Sequence, residues 1–147
     1  MKSALNNRPK HDGRVHGVVV ACFRPSDQKW LMIRRGKNVA APLAICFPGG
    51  AREVGEKVEV AAMREMKEEL SADVTLLEEV WYHECDDRPL TLFGFLGRLE
   101  NDDISHDPKE VEEALWLTTE EALTHPEAIP NSRFFLEKLV EALPRHF

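Results

Sequence analysis

Arg64, Glu65, Glu68 and Glu69 fall within six consecutive residues and carry most of the chemistry legible in this chain. On a helix, carboxylates at i, i+3 and i+4 occupy neighbouring positions of one face. Three like charges so close repel one another, so the arrangement costs stability unless a cation resolves it. Hard oxygen donors on a short arc suit Mg²⁺, which takes few carboxylates and completes its shell with waters and phosphate oxygens. Just upstream, Phe47-Pro48-Gly49-Gly50 makes a Gly-rich turn leading into the helix, and the backbone N–H groups at such a junction favour phosphate. The bland reading is a solvated helix face, with Lys57 and Lys67 as surface partners of the acids. The Gly pair, Pro48 and the acidic register occurring together weigh against it.

The spacing is more specific than the composition. Five residues separate Gly50 from Glu56, seven more lead to Arg64, and the run continues Arg64-Glu65-Met66-Lys67-Glu68-Glu69. This resembles the Nudix box, in which Gly, five residues, Glu, seven residues and Arg-Glu-apolar-any-Glu-Glu-any-Gly-apolar follow in order. Ser71 stands where that pattern has Gly, and Ala72 where it has a larger apolar residue. A Gly there would close the helix in the left-handed conformation, and Ser in its place costs about 1 kcal/mol.

The resemblance runs from about Val15 to Leu143 and implies an α/β/α sandwich around a mixed β-sheet. It further implies a Mg²⁺-dependent pyrophosphohydrolase, with Mn²⁺ as a substitute, cleaving a diphosphate linkage in a small-molecule nucleotide. A MutT-like diphosphatase of nucleoside triphosphates, oxidised ones included, is favoured. An ADP-ribose or nucleotide-sugar pyrophosphatase is the alternative. A non-catalytic nucleotide-binding module is the rival from another class, disfavoured because no box acid is missing. Relatives of this kind are monomers or homodimers.

Carried onto this sequence, the resemblance gives Glu65, Glu68 and Glu69 to the metal, with Glu65 or Glu68 as the general base. Arg64 belongs to the catalytic set as the residue that orients those carboxylates by salt bridge, and Glu56 anchors the loop. Gly49 and Gly50 let the backbone approach ions and substrate closely. Many such chains add a carboxylate from a loop before a late strand ending in Trp. Of Glu110, Glu112 and Glu113, the preferred candidate is Glu112, four residues before Trp116. Trp116 itself reads as core in preference to a base-stacking platform. Arg34 and Arg35, at a strand end, are candidates for substrate phosphates. Asn131 is a candidate for reading a purine edge, against the alternative of a turn residue. Pro89 stands near the place of a marker proline in ADP-ribose hydrolases, but it also completes an ordinary hairpin turn.

The elements that must position these residues follow from local pattern. Residues 1–13 are polar and read as a flexible arm, leaving 14–147 as a single domain of mixed α/β (α+β) class. Strands are expected over Val15–Phe23, Trp30–Ile33, Val74–Cys85, Leu90–Leu99 and Ala114–Leu117, with an irregular stretch from Lys37 to Cys46. A helix is expected from about Val58 to Leu70, its stripe of Val58, Ala62, Met66 and Leu70 lying beside the acidic arc. Thr118 opens a short helix, and Ser132 caps a last one reaching about Leu143.

At 147 residues, 43% hydrophobic and 31% charged, the chain has the composition of one globular domain. A net charge of −7 argues against a polymeric nucleic-acid partner. No apolar run approaches a membrane span and no signal-peptide core is visible, so a cytoplasmic location is expected. Cys22, Cys46 and Cys85 are odd in number and far apart, and Cys22 and Cys46 sit in apolar runs as small buried hydrophobes.

Overall fold

The computed structural model describes residues 10–147 apart from 102 and 131, and for residues 10 and 11 the backbone alone. Alternation of β-branched residues builds the centre of the sheet. Strand β2 (Arg14–Arg24) turns Val18, Val20 and Cys22 to one face and Val19, Ala21 and Phe23 to the other, as the two-residue period of a strand requires. Strand β3 (Lys29–Arg35) does the same with Leu31 and Ile33 against Trp30 and Met32. Both faces are therefore apolar and both must be covered.

Around β2 and β3 stand β1 (Lys10–His11), β4 (Ile45–Cys46), β5 (Gly49–Ala51), β6 (Val74–Glu84), β7 (Leu90–Leu99) and β8 (Val111–Thr118). The central order is β4-β3-β2-β7-β6, with β1 and β5 also on β2 and β8 on β3. The β2–β7 pair is parallel and the other strand pairs are antiparallel. The sheet is mixed, as expected.

Helix α1 (Val58–Leu70) covers one face through Ala61, Ala62, Met66 and Leu70. Helices α2 (Thr119–Thr124) and α3 (Ser132–Ala142) cover the other through Ala122, Phe135, Leu136, Leu139 and Ala142. The α/β/α sandwich thus follows from two apolar faces and two amphipathic layers. The ends of the helices show how local chemistry sets their limits. Thr118 Oγ1 accepts from Glu121 N while Glu121 Oε1 accepts from Thr118 N, a reciprocal capping box. Helix α1 ends at Ser71, in the left-handed region at φ 52°, with Ser71 N donating to Lys67 O and Ala72 N to Met66 O. Serine therefore takes the backbone role that glycine has in the box.

Departures from the sequence reading are local. Lys10 and His11 pair with Val15 and Arg14, so the last residues of the expected arm form a small hairpin, while residues 1–9 lie outside the described ones. Ile45–Cys46 form a short strand inside the stretch expected to be irregular. Ser132 is the first residue of α3 instead of its cap. Strand β8 begins three residues before Ala114 because β3 has edge positions to pair there, and it carries a bulge: Arg34 faces Glu113 and Arg35 faces Val111, leaving Glu112 without a register partner.

Candidate active site

The Gly pair joins β5 to both the sheet and α1. Strand β5 lies on β2, with Gly50 opposite Val18 and Gly49 opposite Val19. A Cβ on Gly49 would fall 1.9 Å from Val18 O, and one on Gly50 would fall 2.4 Å from Glu65 Cδ. Only glycine admits these contacts. Glu69 reaches the same turn, its Oε1 accepting from Gly49 N at 2.8 Å. Two carboxylates of α1 are thereby packed on the turn, Glu65 at 8% exposure and Glu69 at 5%.

Arg64 holds the acids in register. Its Nε and Nη2 grip Glu56 at 2.8 and 2.9 Å in a bidentate pair. Nη1 donates to Glu65 Oε1 at 2.9 Å and to Glu68 Oε2 at 3.2 Å, and Nη2 also donates to Ala51 O at 3.0 Å. One guanidinium thus links the loop, β5 and two turns of α1, which a planar fork does and an ammonium does not. Arg64 is held more firmly protonated than usual, chiefly by its bond to Glu56, and the same bond holds Glu56 below the usual carboxylate range.

Burial acts the other way on the inner acids. It pushes Glu65 up to about 7, against the pull of Arg64, and Glu69 up to about 8, with the charge of Glu65 adding to the rise. The charge of Glu110 contributes to both shifts. Buried hard-oxygen donors that crowd one another are a donor set a divalent cation relieves. Glu68 stays on the rim, its side chain 55% exposed.

These acids form one end of a cavity of about 860 Å³. Glu65 feels the charges of Glu68 and Glu110, and Glu69 those of Glu65 and Glu110; Glu53, Arg64, Arg35 and Arg88 also line the cavity. Val15, Val19, Phe47, Leu90, Leu92, Trp81 and Phe135 give it an apolar wall. That volume and mixture of surfaces suit a small molecule with one charged and one planar or apolar portion.

The residues singled out from sequence separate at this point. Gly49, Gly50, Arg64, Glu65, Glu68, Glu69 and Arg35 all line the cavity, and Glu56 stands behind Arg64. Arg34 does not line it: the next residue on a strand faces the other way, and its guanidinium bonds Glu113, Glu127 and Leu43 O at 3.0, 3.0 and 2.9 Å. Glu112 is exposed and lies off the cavity. Unbroken alternation would set it on the face of Ala114 and Trp116, but the bulge gives that face to the buried Val111. Of the three acids before Trp116, Glu110 is the one that reaches the cavity. Trp116 is partly buried on the α1-side core, with the Arg24 guanidinium carbon 3.9 Å from its ring centroid. Asn131 lies outside the described residues. Arg88, Trp81 and Phe135 were not read as site residues because a hairpin tip, a strand and a distant helix carry no local pattern that joins them.

Comparison with known proteins matches the domain and its fold. Residues 14–139 match the family model of the NUDIX domain. The chain belongs to the Nudix hydrolase family. No curated protein matches its sequence. Among solved structures, a MutT NUDIX hydrolase from Burkholderia pseudomallei is similar at 22% identity, over 86% of this chain and 98% of that one, with a TM-score of 0.74. A MutT protein from Methanosarcina mazei is similar at 17% identity, over 91% and 99%, with a TM-score of 0.76. A C. elegans Ap4A hydrolase in a binary complex is similar at 23% identity, over 90% and 98%, with a TM-score of 0.70. At these identities the likeness is one of fold.

Proposed function

We propose that this chain is a Mg²⁺-dependent pyrophosphohydrolase that cleaves a diphosphate linkage in a nucleoside di- or triphosphate derivative. The observation that carries it is the convergence of Glu65, Glu68, Glu69 and Glu110 at one end of a nucleotide-sized cavity that also holds Arg35 and an apolar wall. Among the described residues, no three His, Cys, Asp or Glu side chains stand in a ready-made metal cage. An ion here would draw on water and substrate oxygens as well, which is the habit of Mg²⁺. Glu65, Glu68, Glu69 and Glu110 are the residues to hold it. When bound, the ion supplies neutralisation of the diphosphate charge and acidification of water.

The chain's own groups do the rest. Arg64 keeps Glu65 and Glu68 aimed, and Gly49 N–H keeps Glu69 in place. Glu65 or Glu68 takes the proton from the attacking water; burial raises the proton affinity of Glu65, which suits it to that step. Arg35 lies where it can meet substrate phosphate, and its planar fork pairs two phosphate oxygens at once. Trp81, partly buried at the cavity and stacked on the buried Phe135, offers an apolar surface for a planar base. The substrate we favour is a purine nucleoside triphosphate or its oxidised form, and two of the similar structures are named MutT. A product-release screen with Mg²⁺, following pyrophosphate and nucleoside mono-, di- and triphosphates by chromatography, tests this across nucleoside triphosphates, oxidised purine nucleotides, ADP-ribose, nucleotide sugars and dinucleoside polyphosphates. Turnover of a triphosphate is the expected outcome. Preference for ADP-ribose or a sugar nucleotide would move the substrate class, and silence of folded protein on the whole panel would remove the hydrolase reading.

A further inference from the structure

The segment from Ser105 to Glu110 is strapped to the catalytic helix. The last carbonyls of a helix have no partner within it and must find one elsewhere. In α1, Leu70 O accepts from Ser105 N at 2.9 Å and Glu69 O accepts from Asp107 N at 3.2 Å. The hydroxyls of Ser71 and Ser105 stand 3.2 Å apart in a hydrogen bond. Ser71 is one of the two residues that depart from the box, and a glycine there would make no such bond.

Asp107 then folds the segment back. Its Oδ1 accepts from Lys109 N at 2.9 Å, and its carbonyl accepts from Glu110 N at 3.1 Å and Val111 N at 2.9 Å. Gly36 closes the other side by donating its N–H to Glu110 O at 2.8 Å. A Cβ on Gly36 would lie 2.9 Å from Lys109 O and 3.1 Å from Glu110 O, so a side chain there would push the segment away. A loop that merely joined α1 and β6–β7 to β8 would leave its N–H groups to water. Here the N–H groups of residues 105, 107, 109, 110 and 111 are all bonded within the protein.

We infer that residues 105–110 form a positioning strap that delivers Glu110 to the acidic end of the cavity. Asp107 is its principal positioning residue, and Ser71 is a latch at the position where the box has glycine. The inference rests on the reading of Glu110 as part of the metal and diphosphate site. It identifies residues that act on that site through Glu110 without touching substrate.

The test is a double-mutant cycle between Asp107→Ala and Glu110→Gln, read by turnover of the substrate found in the screen and by Mn²⁺ titration of nucleotide-free protein. Asp107→Ala is expected to lower kcat about tenfold, with KM within about twofold, and to weaken Mn²⁺ binding. Asp107→Asn keeps the acceptor and should restore both to near the parent values. In the Glu110→Gln background, Asp107→Ala should cost less than about twofold more, because residues acting through one group are not additive. Ser71→Gly separates position from stability: glycine relieves the left-handed backbone, so Tm should hold or rise while kcat falls about two- to threefold. Should Asp107→Ala fail to fold, Ser71→Gly carries the same test. Equal cost of Asp107→Ala with or without Glu110, no rescue by Asn, or unaltered turnover in Ser71→Gly would overturn the strap. Parent-like turnover and Mn²⁺ binding in Glu110→Gln would instead overturn the reading of Glu110 itself.

Discussion

Glu69 shows how much of this site is decided by burial of single groups. It is the more deeply buried of the two inner acids, and its carboxyl is pushed up to about 8. Glu69→Gln keeps the shape and removes the charge, so it should lower kcat by about two orders of magnitude while the protein stays folded. Far-UV circular dichroism and melting curves beside the kinetics check this, and near-parent turnover would withdraw Glu69 from the site. Arg64→Lys is the complementary change. A lysine replaces the fork that grips Glu56 with a point charge, so kcat should fall at least about tenfold with little change in KM. A rise in KM alone, measured at saturating Mg²⁺, would show that Arg64 meets the substrate instead.

At the scale of elements, strand alternation separates two neighbouring arginines. Arg35 lines the cavity, whereas Arg34 bonds Glu113, Glu127 and Leu43 O on the other side of β3. Arg35→Ala should raise KM for the nucleotide about tenfold, whereas Arg34→Ala should leave KM within about twofold and cost under about 1 kcal/mol of stability, as exposed ion pairs usually do. Steady-state kinetics on both variants decides it, and equal KM changes would place both on the substrate. Helix α2 offers a test of local chemistry. Thr118→Ala breaks the capping box and should cost about 1 kcal/mol in urea denaturation, with turnover unaffected because α2 lies on the face away from α1.

The whole molecule feels the acids through linkage. In the unfolded chain Glu65 and Glu69 titrate near 4.5, whereas folded they sit at about 7 and about 8. Between those values the folded state binds more protons, so metal-free stability should fall as pH rises from about 4.5 to about 8. Glu56, held low by Arg64, works in the opposite sense: its contribution is present above the usual carboxylate range and is lost as pH falls through its lowered value. A cation that binds only the folded, ionised site must then stabilise more at high pH. Melting curves with and without MgCl₂ at pH 5.5 and pH 8 should show a larger Mg²⁺-induced rise in Tm at pH 8. Equal shifts at both values would mean that the ion does not bind these carboxylates.

The likeness of Gly50, Glu56, Arg64, Glu65, Glu68 and Glu69 to the Nudix box was legible because all of them belong to one turn, one loop and α1. Helical period and the position of each residue relative to its neighbours are local properties that a sequence states directly. The strands around Val18, Ile33, Leu76 and Phe95 were legible for the same reason, through alternation and β-branching. What the sequence left open was set by contacts between distant segments. The bulge that moves Glu112 into solvent comes from the pairing of β8 with β3, and Glu110 takes the place by the cavity because Gly36 and the end of α1 hold its loop. The apolar wall gathers Phe47 from the β4–β5 connection, Trp81 from β6, Leu92 from β7 and Phe135 from α3. No local pattern links such residues, since their proximity exists only once the sheet has paired and both helical layers have closed on it.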